Sequence, residues 1–321
     1  MGTKSSAVEE KAVSGMVVEV AGASYLVEDD GGVVYRCRTV SATRSANDDE
    51  SLVAVGDRVE LRHSVSGKEM PEAVIVSVEK RRSQLCRKRD LRRNRSREKI
   101  QVIAANIDQL VVVVSAFEPP LSQRLIDRYL VFAESEQLHP VIVVNKMDLD
   151  EDGTAKGVMQ LYEGLGCHIC YVSACERTGI DELRDILAGS VSAFSGHSGV
   201  GKSTIINLLL GEERLKTSET SIKTGKGVHT TSRSVMLALP SGGRVIDTPG
   251  IREFSLSGIS RENLRFYFSE FLPFMPECAF SSCSHTVEPG CAVRDAVESG
   301  LIQPSRYESY LLLLESLEED D

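Results

Sequence analysis

Between Phe194 and Thr204 the chain reads Phe-Ser-Gly-His-Ser-Gly-Val-Gly-Lys-Ser-Thr, and few folds accommodate such a stretch. The apolar run Val191 to Phe194 predicts an entering strand, Gly196 to Gly201 a turn, and Ile205 to Leu210 a following helix. The spacing G-x-x-x-x-G-K-S between strand and helix is that of a P-loop. In such a loop Gly196, His197, Ser198, Gly199, Val200 and Gly201 turn successive backbone N–H groups onto a phosphate chain. The helix N-terminus adds its positive end, Lys202 a mobile charge, Ser203 a ligand for Mg²⁺, and Thr204 closes the cradle. A nucleoside triphosphate site is the first expectation.

Around this loop strand and helix alternate. Asp108 to Ser115, Pro140 to Val144 and His168 to Val172 are buried-strand runs, and a helix between the first two places Leu125, Ile126, Tyr129, Leu130 and Ala133 on one face. With Arg244 to Asp247 they predict an α/β domain with a mainly parallel sheet. Asn145-Lys146-Met147-Asp148 ends the second run. In such an element Asp148 accepts from N1–H and the 2-amino group of guanine, Asn145 reaches the other edge, and the Lys146 stem lies along the base. Adenine lacks both donors and would leave a buried carboxylate unpaired, a mismatch of about 10⁴-fold, which argues against a P-loop kinase or ATPase. Ser173-Ala174-Cys175 resembles the S-A-K element that supports guanine O6, with Cys175 in place of lysine. Asp247-Thr248-Pro249-Gly250 supplies D-x-x-G, with Asp247 directed to Mg²⁺ through water and the Gly250 N–H to the γ-phosphate. The implied ligands are GTP and GDP with Mg²⁺.

GTPases of the Ras type run P-loop, D-x-x-G, N-K-x-D. This chain runs N-K-M-D, S-A-C, P-loop, D-T-P-G, a circular permutation with the old ends joined near Gly189-Ser190. The chain therefore leaves the nucleotide site directly after Gly250, where switch movement would pull on the C-terminal segment.

That segment carries Cys278, Cys283, His285 and Cys291, three thiols and an imidazole suited to a tetrahedral structural zinc site. Cys167-His168-Ile169-Cys170 lies in a strand pattern and reads as core cysteines. Ser305 to Glu308 reads as a capping box, with Tyr307, Tyr310, Leu311 and Leu314 as a core-facing stripe. Ahead of the α/β region, five short alternating runs between Met16 and Val78 predict an OB-like barrel, with Asp29 to Gly32 as a hairpin turn. The net charge of −10 opposes nucleic-acid binding only if evenly spread, and Lys80 to Lys99 is strongly basic. That run is either a solvated linker or an RNA-phosphate contact. Apolar runs are too short to span a membrane, and the N-terminus lacks a signal-peptide core, which predicts a soluble intracellular protein with reduced thiols.

Barrel, permuted GTPase and cysteine-histidine module in this order closely resemble the bacterial ribosome small-subunit-dependent GTPase A family. Gln101 to Gln109, Leu125 to Leu130 and Gly227 to Thr231 carry the resemblance further. It implies a cytoplasmic GTPase that binds the small ribosomal subunit and its RNA in late maturation, with stimulated hydrolysis of GTP; the three-domain build suggests a monomer. A GTP-dependent RNA-binding scaffold with incidental hydrolysis is the alternative. The expected division is a disordered 1–12, a barrel over 13–80, a basic linker over 81–100, a permuted GTPase domain over 101–255 and a helical zinc-binding domain over 256–321. Ile251 stands where Ras-type proteins orient water with glutamine, so slow intrinsic turnover is expected. His229 is the candidate to complete the site, with Thr230 or Thr231 on Mg²⁺; a solvent-exposed switch histidine is the other reading.

Overall fold

The computed structural model describes residues 13–47, 52–64, 70–88, 100–212, 235–247 and 258–317. They divide into two compact units, one holding the described residues through Ile107 with parts of two later strands, the other holding most of the remainder.

In the first unit, alternate burial along β1 (Val13–Ala21), β2 (Ser24–Asp29), β3 (Val34–Ser45), β4 (Arg58–Ser64) and β5 (Glu72–Val78) turns one face of each strand inward. β1 pairs with β2, β2 with β3, β3 in parallel with β5, β5 with β4, and β4 returns to β1. The ring closes around Val17, Val27, Tyr35, Val59, Leu61 and Ile75, an OB-like barrel. The turn between β2 and β3 is capped by Asp29, whose Oδ1 accepts the Gly31 and Val33 N–H groups at 2.9 and 2.8 Å. The strand expected from Val55 begins only at Arg58, because the preceding Asp57 is fully buried in an ion pair. Arg81 donates to both its oxygens at 2.8 Å. Arg81 is thus core rather than part of a basic surface, a correction to the reading of Lys80 to Lys99 as one solvated or RNA-facing run.

The stretch expected as linker over 81–100 also contains strand. β6 (Gln84–Lys88) pairs antiparallel with β7 (Ile100–Ala105), Leu85 opposite Ala104 and both fully buried. The basic residues 89–99 lie outside the described residues, as do 1–12.

In the second unit β8 (Gln109–Ser115), β9 (His139–Asn145), β10 (His168–Tyr171) and β11 (Val191–Ser195) form a parallel sheet ordered β10-β9-β8-β11. Val111, Val112, Val113, Ile142, Val143 and Val144 bury both its faces. The crossovers carry α1 (Gln123–Ser135), α2 (Thr154–Gly164) and α3 (Ile180–Leu187), and the P-loop leads from β11 into α4 (Lys202–Leu210). β12 (Val235–Ala238) and β13 (Arg244–Asp247) come next in the chain, with β13 beside β11 in the strand order. The junction of the permuted ends is short. Leu187 closes α3, Gly189 turns with φ of 74°, and β11 starts at Val191, whose N–H donates to Asp108 Oδ2 at 2.9 Å.

Past 258 the unit is built from short 3₁₀ turns, α5 (Ala292–Glu298) and α6 (Pro304–Ser316). The expected capping box at Ser305 is not formed. Gln303 is the N-cap without a side-chain bond, and Pro304 takes the first helical position, where its missing N–H costs nothing. The buried stripe is also rotated from the expected one: Arg306, Ser309, Tyr310, Leu313 and Leu314 face inward, while Tyr307 and Leu311 are half-buried. Arg306 drives the rotation. Its guanidinium donates to Asp127 of α1 at 2.6 Å and to both oxygens of Glu270 at 2.6 and 3.2 Å, above the Phe268 ring. Among the described residues no helix is long and apolar enough to cross a membrane.

Candidate functional site

The turn from β11 to α4 forms as the glycines require. Gly196 has φ of 142°, and a Cβ there would lie 2.1 Å from the Val113 carbonyl oxygen of the neighbouring strand. Gly201, at φ of 97°, would place a Cβ 2.2 Å from Asn145 Nδ2. Lys202 opens the helix, and its Nζ donates to the carbonyls of Gly196 and His197 at 2.7 and 2.8 Å. The ammonium therefore spans the mouth of the loop, where a phosphate chain would draw it. Ser203 and Thr204 stand half-buried in the first turn.

The N-K-M-D element comes at the end of β9. Asn145, almost fully buried, donates from Nδ2 to the Val200 carbonyl at 2.8 Å and accepts the Ala174 N–H on Oδ1 at 3.0 Å. These two bonds lock the P-loop, N-K-M-D and S-A-C loops together, and the amide keeps a second hydrogen and a second lone pair beyond them. Lys146 adopts φ of 62° and donates through Nζ to the Glu118 carbonyl. Ser115 supports that segment, its hydroxyl donating to the Phe117 carbonyl. Sequence reasoning missed both Ser115 and Glu118, since backbone carbonyls leave no mark in residue type.

Asp148 accepts on Oδ1 from the Ser173 hydroxyl, and Ser173 Oγ in turn accepts the Glu176 N–H at 3.1 Å. A carboxylate oxygen has two lone pairs, so this bond orients Asp148 and leaves acceptors for two donors on a base edge. Cys175 is exposed beside these residues. Asp247 ends β13, with its side chain outside the described residues. His229, Thr230, Thr231, Gly250 and Ile251 lie outside them as well.

The second cluster is the metal candidate. One ligand atom each from Cys278, Cys283, His285 and Cys291 lies within 4.8 Å of all the others. A zinc tetrahedron with Zn–S bonds of about 2.3 Å has edges of about 3.8 Å, so little closure is needed. His285 Nδ1 is 3.6 Å from Cys278 Sγ and 3.4 Å from Cys291 Sγ. Burial, with Arg265 behind it, lowers the His285 pKa, which favours the neutral imidazole that ligates metal. Burial pushes the Cys283 thiol up to about 12, a cost that a divalent cation would offset by binding the thiolate. The donor set fits zinc. Cys167 and Cys170, expected in the core, are half-buried and fully buried, their thiols raised by burial to about 11 and about 12.

Strand, P-loop, base element and fastening asparagine occur here in permuted order, and the model of the RsgA GTPase family matches residues 78–257. The chain belongs to the RsgA GTPase family. It is 65% identical over 307 residues to the small ribosomal subunit biogenesis GTPase RsgA of Chlorobaculum parvum, covering 96% of this chain and 99% of that one. The same-named protein of Chlorobaculum tepidum is 63% identical over 310 residues, with 97% and 100% covered. Among solved structures, YjeQ from Thermotoga maritima superposes with a TM-score of 0.73 at 34% identity, over 96% of this chain and 99% of that chain. YloQ, described as a circularly permuted GTPase, shares the fold at 24% identity and a TM-score of 0.72, over 99% of each. As an RsgA-family GTPase the chain is an enzyme acting on guanine nucleotide.

Proposed function

We propose that this GTPase binds the small ribosomal subunit late in its maturation and hydrolyses GTP to GDP and phosphate, with the subunit stimulating turnover. The observation that carries the reading is the pair of side-chain bonds by which Asn145 joins the P-loop, N-K-M-D and S-A-C loops as one site, in a chain whose relatives are named for small-subunit biogenesis.

The P-loop N–H groups and Lys202 hold the β- and γ-phosphates and oppose the charge that develops on them. Asp148 reads guanine N1–H and the 2-amino group, Ala174 supports O6 from the backbone, and the Lys146 stem lines the base. Ser203, Asp247 and Thr230 or Thr231 are the residues to hold Mg²⁺, which when bound neutralises phosphate charge. The Gly250 N–H meets the γ-phosphate. Ile251 cannot orient water, so intrinsic turnover is slow until His229 or a ribosomal group does so. Barrel and zinc module contact ribosomal RNA, the working division being barrel over 13–80, a connecting segment over 81–100 that contains β6, GTPase over 101–255 and zinc-binding module over 256–321. The protein works as a cytoplasmic monomer.

GTP turnover measured with purified small subunits, and with large subunits as control, tests this. Stimulation by small subunits alone is expected. Tight GTP-dependent binding to small subunits without stimulation would replace the reading with a scaffold, and His229→Ala with unchanged stimulated turnover would remove His229 from catalysis.

A further inference from the structure

Glu288 lies between His285 and Cys291 and belongs to no motif. Its carboxylate gathers four donors: Oε1 accepts the Ser284 N–H and hydroxyl, both at 2.7 Å, and Oε2 the Thr286 and Val287 N–H groups at 3.1 and 3.2 Å. These groups flank His285 on both sides. His285 has φ of 61°, a left-handed conformation that is uncommon for a residue with a Cβ. The carbonyl side of the same turn is held separately. Tyr307 and Tyr310 of α6 donate to the His285 and Ser284 carbonyls, each at 2.6 Å, and Arg265 to that of Cys283 at 2.5 Å.

A metal-binding histidine is ordinarily aimed by a hydrogen bond to its second ring nitrogen. Among the described residues His285 has no such bond. Its Nε2 is buried with no partner among them, and an aromatic neighbour, Phe271, stands edge-to-face at 6.0 Å. The aim of the imidazole has to come from the backbone that carries it, and the N–H side of that backbone is gathered by one carboxylate. Although partial burial opposes its charge, the bonds from Ser284 and Thr286 prevail and hold the Glu288 carboxyl at about 2, so it is fully ionised in neutral solution.

We infer that Glu288 is a positioning residue for the metal site: it fixes the turn in which His285 adopts its left-handed conformation and so presents Nδ1 to the three thiols. The inference rests on the zinc reading of the four-residue cluster. Glu288 touches none of the four donor atoms among the bonds described, and acts through Ser284, Thr286 and Val287.

The test is the rate at which the zinc-loaded full chain gives up metal to excess 4-(2-pyridylazo)resorcinol, for wild type, Glu288→Ala and Glu288→Gln, with GDP affinity measured alongside. Glu288→Ala is expected to release zinc about 10- to 100-fold faster, the usual consequence of losing support behind a metal ligand. Glu288→Gln should fall between, since its amide keeps one accepting oxygen, and GDP affinity should not change. If Glu288→Ala folds poorly, the Gln variant carries the test by releasing faster than wild type. Release within twofold of wild type in the folded variants overturns the inference, whatever happens to the unfolding temperature. A wild-type chain purified under metal-replete conditions that binds no zinc overturns the zinc reading and the inference together.

Discussion

Gly201 is constrained twice, by a φ of 97° and by Asn145 Nδ2 at 2.2 Å from where a Cβ would sit. Gly201→Ala must either shift the loop or release the Asn145 bond to Val200, which misplaces the phosphate-binding N–H groups. Since displacements of about 1 Å at a binding site cost about 100-fold, GDP affinity should fall by at least about that factor while far-UV circular dichroism stays native. Unchanged affinity would show that the loop tolerates the shift and that the fastening is dispensable. Asp148 permits a sharper prediction, because its proposed role is a matched pair of hydrogen bonds. Asp148→Asn should lose GDP and gain xanthosine diphosphate, whose 2-oxo group accepts from the new amide; a variant that binds both nucleotides as wild type does would place base recognition elsewhere. The strand, glycine turn and helix around Lys202 were legible in the sequence because the glycine spacing and the flanking apolar runs require them. The fastening by Asn145 was not, because its partners are backbone groups 55 and 29 residues away. Arg81 was hidden differently: in a basic run nothing distinguishes the one arginine that a buried Asp57 claims.

At the scale of elements, periodicity located strands and helices better than it located their faces. The apolar pattern of α1 points to Leu125, Ile126, Tyr129, Leu130 and Ala133, yet Asp127 is fully buried on it while Leu125 and Leu130 are only half-buried. A polar residue in a core is legible only with its partner, and Arg306 lies 179 positions along the chain. That pair joins α1 to α6, with Tyr162 of α2 donating to the same Asp127 oxygen at 2.9 Å. Removing one side of a buried ion pair leaves the other uncompensated, at a cost of about 3–5 kcal/mol, whereas a well-packed apolar replacement of both can be neutral. Arg306→Ala should accordingly lower the stability of the second unit by about that amount in urea unfolding. Loss of less than about 1 kcal/mol would mean that water reaches Asp127 and Glu270 in the variant.

For the whole molecule, the permutation was legible because motif order is itself a property of sequence, and the barrel because strand count and alternation admit few closures. Harder to foresee was that the P-loop and the cysteine-histidine cluster would share one compact unit, connected through α6, whose Tyr307 and Tyr310 hold the metal loop and whose Arg306 holds α1. The two sites nevertheless have separate supports. The nucleotide loops are fastened by Asn145, Lys146 and Ser173, none of which bonds to the metal loop, so metal removal should spare the nucleotide site. Sites without shared partners combine with errors of about 0.5 kcal/mol, so chelator-stripped protein should bind GDP within about twofold of the zinc-loaded form. Subunit-stimulated turnover should fall to the basal rate, since the loop that meets the ribosome in the proposed function would lose its order. A parallel loss of GDP affinity would instead make α6 a strut on which the nucleotide site depends, and retained stimulation would take the metal module out of ribosome recognition.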